Sequence, residues 1–92
     1  MILLNENEIL ENLKNLSGWN YENNSIRKIF VLKNFSEAVS FIIKIGFEAE
    51  KIDHHPDLFL HEWNKVAVTL STHNSGGVTL NDFKLAQLID KV

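Results

Sequence analysis

The chain has 92 residues, 45% of them hydrophobic and 23% charged, with a formal net charge of −3. That is enough chain for one ordinary soluble domain and too little for two. Its singly scattered cations form no basic stripe for nucleic acid, and the absence of cysteine excludes a disulfide framework, a zinc–thiolate centre and a thiol nucleophile.

No apolar run approaches the ~20 residues that span a bilayer. The opening Met1-Ile2-Leu3-Leu4 turns polar at Asn5, too early for a signal peptide. The expectation is a cytoplasmic protein, one domain over residues 1–92, with neither nucleic acid nor membrane as partner. A domain this small has a limited core, so self-association would help it.

A first helix is expected after Asn5, because Asn5 and Glu8 have the spacing of a capping box. Ile9, Leu10, Leu13 and Leu16 then recur at helical spacing, and Ser17-Gly18 stops the run. Trp19 to Tyr21 reads as a short strand. Glu22-Asn23-Asn24-Ser25 is turn chemistry, since asparagine tolerates left-handed backbone angles. Ile26 to Lys33 reads as the second strand. Ile26, Phe30 and Leu32 share one face, interrupted by Lys28, and Ile29 and Val31 share the other, which predicts either a buried strand or a subunit contact.

Asn34 and Glu37 repeat the cap spacing and open a second helix from about Phe35 to Lys51. Val39, Ile42, Ile43, Gly46, Phe47 and Glu50 follow its period, and Pro56 ends any helical tendency. Leu58 to Trp63 and Val66 to Thr72 are expected to be a third and fourth strand joined through Asn64-Lys65. Asn74-Ser75-Gly76-Gly77 is a flexible turn. Thr79 and Asp82 form a third cap, followed by a helix with Leu85, Leu88, Ile89 and Val92 on its core face. The order α-β-β-α-β-β-α, with short β–β links, predicts an α+β domain: a four-stranded antiparallel sheet with three helices on one face.

There are four histidines, at 54, 55, 61 and 73. If the third and fourth strands form a hairpin, the start of one lies beside the end of the other. His54 and His55, in Asp53-His54-His55-Pro56, then come close to His73. Imidazole has a reference pKa of about 6.5, so a group of two or three can give and take protons on one small substrate near neutrality. Glu50 and Asp53 stand near enough in sequence to orient an imidazole or to hold an N–H edge of a ligand. Blander assignments compete. The His54 side chain alone can cap helix carbonyls. His61 sits in mid-strand, where plain exposure is expected. Phe59 is expected in the core, with Leu58 and Trp63 as core or as walls of a site. Adjacent residues rarely ligate one ion together, so metal binding ranks below acid–base chemistry. The Gly76-Gly77 pair reads as a turn, since no phosphate-binding pattern surrounds it.

Glu50-Lys51-Ile52-Asp53-His54-His55-Pro56, Trp63-Asn64-Lys65-Val66, Val68-Thr69-Leu70-Ser71-Thr72-His73 and Asp82 together resemble the pterin-4a-carbinolamine dehydratases. The resemblance runs from Trp19 onward and includes Lys33-Asn34-Phe35. It implies three helices on a four-stranded antiparallel sheet, assembled as homodimers or homotetramers. It implies dehydration of 4a-hydroxytetrahydropterin to the quinonoid dihydropterin, with no metal and no organic cofactor. Its active-site histidines fall on His54, His55 and His73, with His54 and His73 for proton transfer and His55 for positioning. Glu50, Asp53, Pro56, Thr72, Asn74, Ser75 and Asp82 fall on or beside its substrate-contacting positions. The chain departs from the pattern at Leu58, where some members carry an aromatic residue, and between Pro56 and Asn64, one residue longer than in the animal enzymes. Two alternatives stand beside the enzyme: a non-catalytic dimerisation or regulatory module on the same fold, and a dehydratase serving molybdopterin-type cofactor metabolism.

Overall fold

In the computed structural model, which describes residues 2–92, the elements follow the expected order. Met1, part of the apolar opening, lies outside the described residues. Helix α1 spans Glu6–Leu13, strand β1 Asn20–Glu22, β2 Ser25–Val31, helix α2 Phe35–Lys51, β3 Asp57–His61, β4 Lys65–Leu70 and α3 Leu80–Asp90, with a single 3-10 turn at His73–Ser75. All strand pairs are antiparallel, in the order β1-β2-β4-β3. The fold is α+β.

The helix starts obey the cap chemistry. Asn5 and Glu8 close a complete capping box on α1, and Thr79 and Asp82 close one on α3. At α2, the Asn34 side chain accepts from the Glu37 N–H at 2.8 Å. The β1–β2 turn places Asn23 and Asn24 at φ 51° and 59°, the left-handed angles a two-residue hairpin needs.

One face of the sheet meets the helices. Ile26, Val66, Val68 and Leu70 pack there with Ile9, Phe41, Ile45, Leu85 and Ile89. Lys28 points to that face too. Its ammonium pairs with Asp90 at 2.9 Å and lies over the Phe30 ring, while Asp90 also accepts from the Trp19 indole N–H at 3.0 Å. The chain start is tied down beside α3: Leu4 N–H donates to Val78 O at 2.9 Å, and a Cβ at Gly77 would stand 3.3 Å from Leu3.

Several expectations are corrected. Helix α1 ends at Leu13 rather than at Ser17-Gly18, and Leu10 faces solvent. Strand β1 begins at Asn20, and Trp19 is buried in the core. Strand β2 stops at Val31, where Leu32 N–H bonds Asn64 O at 2.8 Å. The buried face of α2 is Ala38, Phe41, Ile45 and Ala49, so Val39, Ile43 and Phe47 are exposed. On α3, Phe83 and Ala86 join Leu85 and Ile89 inside, and Val92 lies outside.

The largest correction concerns β3, which starts at Asp57. The β3–β4 turn is Glu62–Asn64, with Glu62 and Trp63 at φ 48° and 59°. Phe59 is therefore 63% exposed on the open face of the sheet. Its cross-strand neighbours there are Ala67 and, one strand further, Ile29. His61 stacks on Phe59 at 5.1 Å and is partly covered. The Lys65 ammonium holds the Glu62 carboxyl below its ordinary pKa, with a smaller contribution from His61.

Candidate active site

The C-terminus of α2 builds one side of the site. Asp53 takes a left-handed conformation, φ 50°. Asp53 N–H bonds Glu50 O and His54 N–H bonds Ala49 O, the two bonds of a Schellman motif. That motif turns the chain back on the helix. It delivers the His54 ring to the interior, where it is 9% exposed, and leaves His55 outside.

The buried partner of His54 is Asp82, 0% exposed at the first turn of α3. His54 Nε2 lies 2.6 Å from Asp82 Oδ1. Asp82 Oδ2 accepts from Thr79 N–H at 2.9 Å and from the Thr72 hydroxyl at 3.0 Å. The Thr72 proton is thereby spent, so across the 2.7 Å contact between the two hydroxyls Thr79 donates to Thr72. The carboxylate, with two donors on Oδ2, has no hydrogen of its own to give to the imidazole facing Oδ1. His54 Nε2 must then carry the proton, which leaves Nδ1 as its uncommitted nitrogen.

Strand β4 brings the other side. Beyond Leu70, Thr72 N–H bonds Gly77 O at 2.7 Å, and the carbonyl of Thr72 accepts from Ser75 and Gly76. Gly76 sits at φ 75°, a left-handed angle that suits glycine. This short loop holds His73 exposed at the end of β4. Since Asp57 is paired with Thr69 across the hairpin, the His54–Pro56 segment and the Ser71–Asn74 segment lie side by side.

They enclose a cavity of about 250 Å³ lined by Asp53, His54, His55, Pro56, Asp57, Ser71, Thr72, His73 and Asn74. That is close to the ~300 Å³ lower end of small-molecule sites. Three of the predicted residues are absent from the lining. Glu50 stands behind His55, with Oε1 3.0 Å from His55 Nε2. Asp82 is sealed beneath His54, and Ser75 lies past the rim. Two lining residues, Asp57 and Ser71, were not singled out by sequence. Both lie on the open face of the sheet, where Asp57 follows Pro56 directly and pairs with Thr69. Among the described residues, no group of three His, Asp or Glu side chains is placed to hold a metal ion, and no helix is long and apolar enough to cross a membrane.

Known proteins resemble this chain in sequence and in fold. A provisionally named pterin-4-alpha-carbinolamine dehydratase of Sulfolobus acidocaldarius is 51% identical over 89 residues, covering 97% of each chain. A Brucella melitensis structure described as a transcriptional coactivator/pterin dehydratase superposes with a TM-score of 0.92 at 39% identity, covering 98% of this chain and 97% of that one. A pterin dehydratase-like protein identified as a RuBisCO assembly factor in the alpha-carboxysome shares the fold, with a TM-score of 0.64 at 15% identity over 79% of this chain and 83% of its own. The sequence model of the pterin 4 alpha carbinolamine dehydratase family matches residues 2–92, and the chain belongs to that family.

Proposed function

We propose that this protein dehydrates 4a-hydroxytetrahydropterin at the cavity between the His54–Pro56 and Ser71–Asn74 segments. The observation that carries the reading is the convergence of His54, His55 and His73 on one cavity, with His54 anchored from below by a buried carboxylate. An assembly module has no need of such an anchor. Burying an aspartate is expensive unless its lone pairs are used; here one bond closes the α3 capping box, and the other two hold the Thr72 hydroxyl and the His54 imidazole.

In the proposed reaction, His73 donates a proton to the C4a hydroxyl and the C4a–O bond breaks with loss of water. His54 Nδ1 takes the N5 proton, and the electron pair left on N5 closes the C4a=N5 imine. Asp82 acts through His54 by holding its tautomer. His55, steadied by Glu50, positions the departing hydroxyl. Asp53, Pro56, Thr72 and Asn74 bound the ring, with no cofactor taking part. The test is to mix purified protein with freshly made 4a-hydroxytetrahydropterin and follow the absorbance of the quinonoid product. Acceleration over the spontaneous loss of water is expected. A rate equal to the protein-free control would leave the assembly-module reading in possession. A phosphate-bearing pterin as the preferred substrate would favour the molybdopterin-type role.

The same proposal includes self-association. Phe35, Val39, Ile43 and Phe47 form an exposed ridge along α2 at four-residue spacing; Ile43 is 55% and Phe47 67% exposed. Ridges of this kind interlock between two helices crossing at about −50°. Gly46 lies beside the ridge with nothing within 4 Å of where a Cβ would stand. A glycine in a helix interior costs about 0.5–1 kcal/mol against alanine, and close approach of a second copy's ridge would explain it. Ile29 and Val31, exposed on the open sheet face, offer a second contact of the kind a larger assembly needs.

A further inference from the structure

The cavity has two characters. On the helix side stands His54, and the acids that support the two adjacent imidazoles are already engaged: Asp82 with His54, Glu50 with His55. On the side of the open sheet face stands Asp57, whose carboxylate has no hydrogen bond or ion pair among the described residues. Asp53, the other free acid of the lining, is explained by its backbone. It fills the left-handed position of the α2 cap, where Asn, Asp and Gly are favoured. Asp57 has no such explanation. It is the first residue of β3, in extended conformation, where aspartate is disfavoured. It caps no helix and closes no turn. The sheet ladder to Thr69 fixes its place more firmly than a loop would.

We infer that Asp57 is a substrate-specificity residue that accepts hydrogen bonds from the 2-amino and N3–H groups of the pterin's pyrimidine edge. The inference rests on the dehydratase reading of the cavity and adds a residue to it. Those two N–H groups are parallel donors on a flat ring, the edge that a carboxylate grips with both oxygens, as it grips a guanidinium. On the pterin ring this edge lies away from N5 and C4a, and Asp57, carried on the open face of the sheet, is likewise offset from His54, which is buried against α3. Binding there orients the bicycle with its reacting atoms toward His54 and His73. Because the bonds are the same before and after loss of water, they contribute to binding and leave the chemical step untouched.

The experiment compares wild type with Asp57→Asn. Binding of the non-reacting 7,8-dihydropterin, and of its analogue carrying a 2-oxo in place of the 2-amino group, is followed by fluorescence quenching, and kcat and KM are measured for dehydration. Asparagine keeps the shape and replaces one acceptor by a donor. A charge-assisted pair is worth enough that dihydropterin affinity and 1/KM are expected to fall ~10- to 100-fold. The expected companions are an unchanged kcat and loss of the wild-type preference for the 2-amino ring. Equal dihydropterin affinity in the two proteins would overturn the inference, as would equal weakening of both analogues or a fall in kcat at constant KM. Should the wild type bind dihydropterin through Asp57 and yet fail to accelerate dehydration, the catalytic reading would fail while the Asp57 assignment stood. Thermal melts of both proteins confirm that an exposed strand-end change leaves the fold intact.

Discussion

Replacing Asp82 by asparagine tests the anchoring of His54 directly. The amide oxygen can keep the Thr79 and Thr72 donors only if its NH2 group turns toward His54 Nε2. That nitrogen must then accept, the ring proton moves to Nδ1, and the nitrogen assigned as base in the proposed reaction becomes a donor. Flipping the amide saves His54 and instead sets NH2 against two donors. Either way, charge-assisted bonds of ~1.5–3 kcal/mol become neutral or mispaired ones, for a net destabilisation of about 1–3 kcal/mol. In a domain of this size each kcal/mol lowers Tm by roughly 4–8 °C. Removing a working base lowers kcat by ~10²-fold or more. Single-turnover dehydration well below the Tm of the variant separates the two effects, and long-range nitrogen–proton NMR of the imidazoles reads the tautomer. If the folded variant dehydrates within a few-fold of wild type, or His54 keeps its proton on Nε2, Asp82 is a helix cap and nothing more.

Changing His73 to alanine should lower kcat by ~10²-fold with Tm unchanged, since the ring is exposed; full activity would move the acid elsewhere. At Asp53, glycine should preserve or slightly raise stability, whereas valine should cost ~1–2 kcal/mol at its left-handed angle, read by urea melts; equal stability of the two variants would contradict the cap. Ile43→Glu is expected to convert an associated wild type to monomer in sedimentation, while Gly46→Leu, filling the groove, should do the same without adding charge. A wild type already monomeric at micromolar concentration would remove the α2 interface.

Much of the architecture was legible because local chemistry and tertiary structure agree. The side chains of Asn5, Asn34 and Thr79 mark where helices begin, and Asn23-Asn24 marks a hairpin. The core face of α2 was not legible, because the helix is apolar on both sides. The inner stripe of Ala38, Phe41, Ile45 and Ala49 is smaller on average than the outer one, so size misleads and only the position of the sheet decides. Strand β3 failed for another reason. Glu62 and Trp63 take left-handed angles without the glycine or asparagine that would signal them, and a displaced start changes which residues meet the site. Hairpin adjacency sufficed to gather the three histidines. It could not separate Asp82, which supports an imidazole from inside, from residues that touch a ligand, nor show that Asp57 and Ser71 complete the wall.

The bond from Leu4 N–H to Val78 O has a practical use. It staples the beginning of the chain to the segment that carries His73 into α3, with Leu3 resting on Gly77. The Leu4 amide is thus a spectroscopic sentinel for the loop. Its deuterium uptake, measured with and without a pterin analogue, would report whether ligand binding quiets the 72–78 segment, without a probe being placed in the cavity itself.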